Sequence, residues 1–264
     1  MLHPEEAATT AGLKSGSRGA RWTKARIRRE LAMMARPAGD FNAERYFGGD
    51  HRLRFYNVGT KPMRAFARSI HVANRENWSI DDAMALADEL IRDPYLETKS
   101  VGIEIVACYR RHFAPKQLAR WKRWLSRNHS ANWATTDAIC GALIGPLLVK
   151  LPELAQQMCA WSKDRNMWVR RASIVALIPL VRKGAALDLG YEIAAGLHDD
   201  EEDLIQKAVG WALREAGKAD MRRLERYLRE HAPKIPRTTL RYAIERFPRT
   251  KRRELLAVTR CIRP

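Results

Sequence analysis

Cysteine is scarce in this sequence, and the four that occur are not arranged for a metal site or a disulfide framework. No two of them form a Cys-x-x-Cys pair, and the seven histidines form no His-x-x-x-His spacing beside them. Zinc sites and disulfide-stapled folds need such spacings. We therefore expect buried free thiols and no metal ion.

Nucleotide-binding loops and long apolar runs are missing too. The sequence has no Gly-x-x-x-x-Gly-Lys loop and no Gly-x-Gly-x-x-Gly turn, so it gives no sign of a nucleotide cofactor. No apolar run approaches the roughly 20 residues of a bilayer span. The start, Met1–Glu6, lacks the basic and apolar segments of a secretory signal. We expect a monomeric cytoplasmic protein that uses no cofactor and no membrane.

Acidic residues are few relative to basic ones. The chain has 48 Lys and Arg against 30 Asp and Glu, which gives a net charge of +18. Half of this surplus lies in residues 220–264, with 14 basic and 5 acidic side chains. Such an excess favours a polyanionic partner through counterion release, which fits DNA, RNA or an anionic membrane equally. The alternative is a solvated surface that serves solubility.

Strand-like alternation is absent, and helical patterns dominate from Arg21 onward. Leu, Ala, Arg and Glu are frequent there, and apolar residues recur every three or four positions. Residues 1–20, rich in Ala, Gly, Ser and Thr without an apolar period, are typical of a flexible leader. We expect this leader to precede a single all-α domain over residues 21–264.

Helix-start signals recur along this domain at a nearly constant interval. Asp93, Ser130, Asp164 and Asp199 each precede an apolar helical stretch, at separations of 37, 34 and 35 residues. Second helices between them are marked by prolines that suit a first helical turn, Pro115 and Pro152. The sequence therefore predicts helix pairs over residues 61–92, 93–128, 130–163, 164–197, 199–231 and 236–260.

Helix pairs of this period favour an α-solenoid, in which stacked antiparallel HEAT-like pairs share one core. Solenoids curve, and the last two pairs are basic, so we expect a basic concave face about as wide as a nucleic-acid duplex. The alternative architecture is a non-repeating helical bundle.

Unusual residues occur near the starts of successive first helices. Trp133 and Asp137 are four apart and share one helix face, although Asp is a poor residue for a helix interior. The alternative is a core tryptophan with an aspartate that caps a turn or pairs with an arginine.

Two later segments carry similar features. Arg170 and Arg171 project about 100° apart around a helix, so only one of them can face a given groove. Gly210 has no side chain, so the helix surface beside Trp211 lets another backbone approach or leaves the indole exposed. A solvated arginine pair and a simple packing feature are the alternatives.

The order and spacing of these motifs carry a resemblance to a known family. The motifs are Asn132-Trp133 with Asp137, Trp168-Val169-Arg170-Arg171-Ala172, and Lys207-Ala208 with Gly210-Trp211-Ala212-Leu213-Arg214-Glu215. Upstream stand Tyr46-Phe47, Phe55-Tyr56-Asn57-Val58-Gly59 and Met63-Arg64. Over roughly residues 40–245, the chain resembles the AlkD-type DNA alkylation-repair glycosylases.

This resemblance implies an enzyme that removes N3- and N7-alkylated purines from double-stranded DNA, and that associates with the nucleoid when bound. The catalytic aspartate falls on Asp137, the two lesion-side tryptophans on Trp133 and Trp211, and the site arginine on Arg171 or Arg170. We further predict that the DNA backbone is bound by Arg170, Lys207, Arg214 and Lys218.

The chemistry of such lesions suits these residue types. Alkylation at N3 or N7 makes the purine cationic, so the base leaves as a neutral molecule without a general acid. Positive charge then develops on the deoxyribose, as on the sugar in glycoside hydrolysis. A fixed carboxylate stabilises that charge, and each indole face adds roughly 0.5–2 kcal/mol. No second carboxylate is expected with Asp137. The competing hypotheses are a non-catalytic HEAT-like nucleic-acid scaffold and an RNA-binding solenoid.

Overall fold

In a computed structural model of the protein, residues 22–39, 47, 53–130 and 132–258 are described. The predicted leader over residues 1–20 lies outside them, as does Cys261. In these ranges the regular structure is helical, and the β-type pairing there is a single bridge between Arg54 and Tyr95. No helix among them is long and apolar enough to cross a membrane.

The described α-helices follow one another along the chain with short connections. They are α1 (Lys24–Met33), α2 (Thr60–Asn74), α3 (Ile80–Leu90), α4 (Leu96–Ala107), α5 (Pro115–Ser126), α6 (Trp133–Ile139), α7 (Gly145–Lys150), α8 (Gln157–Trp161), α9 (Met167–Val175), α10 (Ile178–Val181), α11 (Leu187–Gly196), α12 (Asp203–Ala216), α13 (Met221–Glu230), α14 (Arg237–Ala243) and α15 (Arg249–Val258).

The predicted helix pairs are confirmed. The first helices form a row in which each contacts the next, in the order α2, α4, α6, α9, α12 and α14. One cluster of buried apolar side chains runs through the stack from Ile27 to Leu255. No single pair could enclose that cluster, so neighbouring pairs bury it together. The fold is an all-α solenoid.

The first helices α4, α6, α9 and α12 have their N-caps two or three residues after the predicted start signals. The Asp93 carboxylate accepts the Tyr95 N–H and the Asp164 carboxylate accepts the Asn166 N–H, each at 3.0 Å. Each aspartate therefore stabilises a turn that precedes a helix. The N-cap of α9 is instead Asn166, whose Oδ1 accepts the Trp168 N–H at 2.9 Å. Ser130 and Asp199 likewise precede the true caps, Asn132 and Glu202.

The two prolines predicted to start second helices differ in outcome. Pro115 begins α5, as predicted. Pro152 instead opens a 3₁₀ turn, Pro152–Gln156, that leads into the short helix α8.

A π-helical turn, Cys140–Ile144, joins α6 to α7. Pro146 has no N–H, and in an α-helix its ring would clash with the carbonyl four residues back. A wider turn relieves that clash. The α-helical hydrogen-bond pattern of this first helix is therefore interrupted from Cys140, three residues after Asp137.

Cysteines are free among the described residues. Cys140 is fully buried, as expected, and burial raises the pKa of its thiol. Cys108 and Cys159 are partly exposed, which corrects the expectation that all the thiols are buried.

Candidate active site

A cavity of about 630 Å³ opens on the row of first helices. Successive pairs contribute to it through α6, α9, α12 and α14, so it exists only in the stacked fold. It is lined by Phe47, Trp133, Asp137, Arg171, Asp203, Leu204, Lys207, Trp211, Arg214 and Tyr242.

The start of α6 places Trp133 and Asp137 in this cavity. Asn132 caps the helix, because its Oδ1 accepts the Thr135 N–H at 2.8 Å. Its amide nitrogen donates to Ser130 O at 2.8 Å and to Thr135 Oγ1 at 2.9 Å. The cap therefore fixes Trp133 as the first helical residue, with Asp137 one turn later on the same face.

Phe47 forms part of the wall beside Trp133. The two rings stack at a centroid distance of 5.7 Å and an interplanar angle of 25°. Phe47 in turn lies 5.3 Å from the Phe55 ring. The Trp133 indole therefore contacts the Phe47 ring, which in turn contacts the Phe55 ring.

Arg171 of α9 holds the Asp137 carboxylate in a bidentate ion pair. Its Nε donates to Asp137 Oδ1 at 2.9 Å, and its Nη2 donates to Oδ2 at 2.8 Å. The third nitrogen, Nη1, donates to the Leu204 carbonyl in α12. One guanidinium therefore ties three successive helix pairs together and orients the carboxylate.

Burial and ion pairing act in opposite directions on Asp137. Its side chain is 17% exposed and that of Arg171 is 6% exposed. Burial raises the pKa of the Asp137 carboxyl, and the bonds to Arg171 lower it by less, so the pKa lies above its ordinary value of 3.8.

Arg170 points away from the cavity. Its Nε donates to Asp200 Oδ2 at 2.6 Å, and its Nη1 donates to the carbonyls of Asp164 and Arg165 at 3.1 and 3.0 Å. These contacts hold the turn that precedes α9. Of the two adjacent arginines, the structure brings Arg171 to Asp137.

One face of α12 supplies much of the remaining lining. Asp203, Lys207, Trp211 and Arg214 are spaced by four, four and three residues, so they share one stripe of the helix. Lys207 Nζ pairs with Asp203 at 2.6 Å, and Arg214 pairs with Glu245. Both basic side chains thus lie in the cavity wall, each with an exposed acidic partner, and Arg214 Nε also lies 3.6 Å from the buried Glu215 carboxylate.

Lys218 lies outside the lining of this cavity. Its Nζ bonds to the buried Glu215 carboxylate at 2.6 Å, and Arg182 bonds to the same group at 2.7 Å. Arg214 Nε lies 3.6 Å from the same carboxylate, so Lys218 shares this acidic partner with Arg214 although it does not line the cavity. Its role in DNA binding stays a prediction.

Gly210 lets α14 pack closely against α12, as its place beside Trp211 suggests. A Cβ on Gly210 would lie 2.5 Å from Tyr242 Cβ and 2.6 Å from Thr239 O. Thr239 Oγ1 also donates to Gln206 O at 2.9 Å. This close contact brings the Tyr242 ring to the cavity, where it is 39% exposed.

The sequence matches the family model of DNA alkylation repair enzymes over residues 27–247. The chain belongs to this family. That span includes every residue of the cavity lining, from Phe47 to Tyr242. No curated protein matches the sequence.

Two solved structures share the fold of this family member. A protein of Enterococcus faecalis, described as a predicted DNA alkylation repair enzyme, superposes with a TM-score of 0.68 at 18% identity, over 78% of this chain and 93% of its own. The protein smu.31 from Streptococcus mutans UA159 superposes with a TM-score of 0.53 at 14% identity, over 70% of this chain and 98% of its own. At these identities the likeness concerns the fold.

In this family member, sequence reasoning missed several residues of the cavity. Asp203, Leu204 and Tyr242 belong to no local motif, and Phe47 appeared in a motif without a role. Asp203 adds a second carboxylate to the cavity lining, but it pairs with Lys207 and not with Asp137. The spacing of Asp203 from Lys207 and Trp211 on one helix face was the available signal.

Proposed function

We propose that the protein is an alkylpurine DNA glycosylase, which hydrolyses the N-glycosidic bond of N3- and N7-alkylated purines in double-stranded DNA. One observation carries the proposal: a largely buried carboxylate, Asp137, is fixed by Arg171 in a cavity that two indoles, Trp133 and Trp211, also line. Membership of a DNA alkylation repair family supports DNA as the partner.

The arrangement fits departure of a cationic base. As the bond between C1′ and the base nitrogen breaks, its electron pair neutralises the charge on the purine, and the sugar becomes cationic. Arg171 occupies one acceptor position on each Asp137 oxygen, so further positions can face the sugar and a water. That water forms the new bond to C1′ and gives its proton to the carboxylate. Because the purine leaves as a neutral base, no general acid is needed.

The aromatic walls complement the carboxylate. Indole faces carry partial negative charge, so Trp133 and Trp211 stabilise a cationic sugar or base and exclude water. Tyr242 adds an exposed ring to the same cavity. No step in this scheme needs a metal ion or a cofactor.

In this proposal Lys207 and Arg214 bind DNA phosphates in place of the carboxylates with which they now form ion pairs. Their exposed partners, Asp203 and Glu245, are 59% and 56% exposed, while the buried Glu215 can stay beside Arg214. Exposed ion pairs contribute little free energy, about 0–1 kcal/mol. A phosphate can therefore replace either carboxylate at small cost.

The direct test uses duplex DNA that carries 7-methylguanine. Wild-type protein is incubated with it, and free 7-methylguanine is followed by chromatography against a reaction without protein. We expect release well above the spontaneous rate. Binding of this DNA with no excess release would contradict the enzymatic proposal and support the non-catalytic scaffold.

A further inference from the structure

A separate cavity of about 370 Å³ lies between α14 and α15, at the C-terminal end of the described chain. Four arginines dominate its wall, together with two apolar side chains. We call it the C-terminal arginine cleft; it is lined by Arg241, Arg249, Arg252, Arg253, Ile244 and Leu256.

The helix α15 separates its charges between two faces. Arg249, Arg252, Arg253 and Leu256 follow helical spacing, so they lie on the face toward the cleft. On the face toward α13, Lys251 pairs with Glu225 at 3.1 Å and with Glu254 at 2.9 Å.

Charge in the cleft is uncompensated, in contrast to its surroundings. Nearby Arg229 pairs with both Glu225 and Glu254. Within residues 22–258, where described, no carboxylate forms an ion pair with the cleft arginines Arg241, Arg249, Arg252 and Arg253. Four like charges around one cavity repel each other, and an anion would relieve that repulsion.

The cleft is also held in shape before any ligand arrives. Arg237 at the start of α14 donates through Nη1 to Leu256 O near the end of α15, at 3.0 Å. The ion pairs of Lys251 fix α15 to α13 on its other side. Buried Ile244 and partly buried Leu256 give the cavity an apolar lining, against which arginine stems can pack.

The chemistry of the cleft selects phosphate. A guanidinium binds phosphate oxygens through parallel N–H bonds, and several guanidinium groups together suit a chain of phosphodiesters. The short helix α14 presents Tyr242 to the candidate active site and its neighbour Arg241 to the cleft. One DNA molecule could therefore contact both cavities.

We propose that the C-terminal arginine cleft binds the phosphodiester backbone of duplex DNA beside the lesion. The proposal rests on the proposed function, which supplies DNA as the partner. Arg249, Arg252 and Arg253 lie beyond residue 247, where the match to the family model ends. Three of the four cleft arginines thus lie outside the segment that the family assignment covers.

The test measures binding of an undamaged, fluorescently labelled DNA duplex by anisotropy over a range of salt concentrations. The variant is R249Q/R253Q, and the charge-matched control is R110Q/R111Q, two exposed arginines on the 3₁₀ turn Arg110–His112. Since each lost phosphate contact lowers the salt slope by about one, R249Q/R253Q should be shallower by about two. Its affinity at about 0.1 M salt should fall roughly tenfold or more, and the control should change little.

Several outcomes would overturn the proposal. An unchanged slope in R249Q/R253Q, or an equal change in R110Q/R111Q, would show that the cleft has no specific phosphate contacts. Binding of phosphatidylserine vesicles and of duplex RNA is measured for the same variants. If R249Q/R253Q binds DNA like the wild type but loses binding to the vesicles or to the RNA, the cleft serves that other partner. Because undamaged DNA is used, these results are independent of whether the wild type releases 7-methylguanine.

Discussion

At the scale of single residues, two opposing effects act on the pKa of the Asp137 carboxyl. Burial favours its neutral form, and the two bonds from Arg171 favour its ionised form, with burial the larger effect on the pKa. Only the ionised form can stabilise a cationic sugar in the proposed reaction. Activity should therefore depend on the Asp137 carboxylate itself and on the arginine that holds it.

Replacing Asp137 by Asn should remove the negative charge and nearly preserve the shape. We expect D137N to release 7-methylguanine at least tenfold more slowly, about 1.4 kcal/mol of barrier, with nearly unchanged DNA affinity. Single-turnover release and anisotropy measure the two quantities. Equal losses of release and binding would instead indicate a structural aspartate.

Replacing Arg171 by Gln should change the pH profile as well as the rate. The wild-type rate should rise with pH as Asp137 ionises, with a midpoint above the ordinary value of 3.8. In R171Q burial acts without its opposing partner, so the midpoint should move to higher pH. Single-turnover release between about pH 4.5 and 8, corrected for spontaneous loss, would show the shift.

A matched control for R171Q is R170Q, on the same helix. Arg170 also pairs with a partly buried carboxylate, Asp200, but outside the cavity. Its removal should lower stability without moving the midpoint. An identical midpoint in wild type and R171Q would contradict the assigned role of Arg171.

At the scale of elements, the close contact of α12 with α14 decides the shape of the cavity. Gly210 is the residue that permits it, because Tyr242 and Thr239 occupy the space of a side chain. A bulkier residue would force the two helices apart. Tyr242 would then leave its place in the wall.

Replacing Gly210 by Ala should therefore destabilise the fold through overpacking, by about 1–3 kcal/mol. We expect the melting temperature to fall by roughly 2–4 °C for each kcal/mol. The control is G196A, because no atom lies within 4 Å of a Cβ at Gly196. Thermal unfolding by circular dichroism compares them; equal effects of G210A and G196A would refute the packing argument.

At the scale of the whole molecule, stability should depend on a buried histidine, His198, which follows the end of α11. His198 bonds through Nε2 to Tyr227 Oη at 2.7 Å. Burial, with smaller effects of His231 and Lys234, lowers the pKa of His198 to about 4 from its ordinary 6.5. Protonation therefore favours the unfolded chain, so stability should fall as pH drops from 6.5 toward 4.

Replacing His198 by Gln should flatten this dependence. The Gln amide can retain a bond to the Tyr227 hydroxyl but does not titrate in this range. We expect H198Q to lose less free energy of unfolding between pH 7 and pH 5 than the wild type, as measured by urea titration. A parallel loss in both proteins would assign the acid sensitivity to other groups, such as His71 or His129, whose pKa values are also lowered by burial.

Much of the fold and part of the candidate site could be predicted from local patterns. The pairs followed from caps and prolines, and Trp133 with Asp137 followed from a spacing of four residues. The sequence could not decide whether Arg170 or Arg171 is the site arginine. Adjacent residues of a helix point in different directions, and only the positions of the neighbouring helices show which direction faces the cavity. Tyr242 gave no signal, since its position depends on how closely α14 approaches Gly210.

The sequence by itself determined the helices, their pairing along the chain and the excess of basic charge, because these depend on interactions within a few residues. Only the tertiary structure decided which side chains meet. Asp137 and Arg171 are 34 residues apart, and the register of stacked pairs brings them within hydrogen-bond distance. The cleft between α14 and α15 has the same origin, since helical spacing puts arginines on one face but only packing encloses a cavity there.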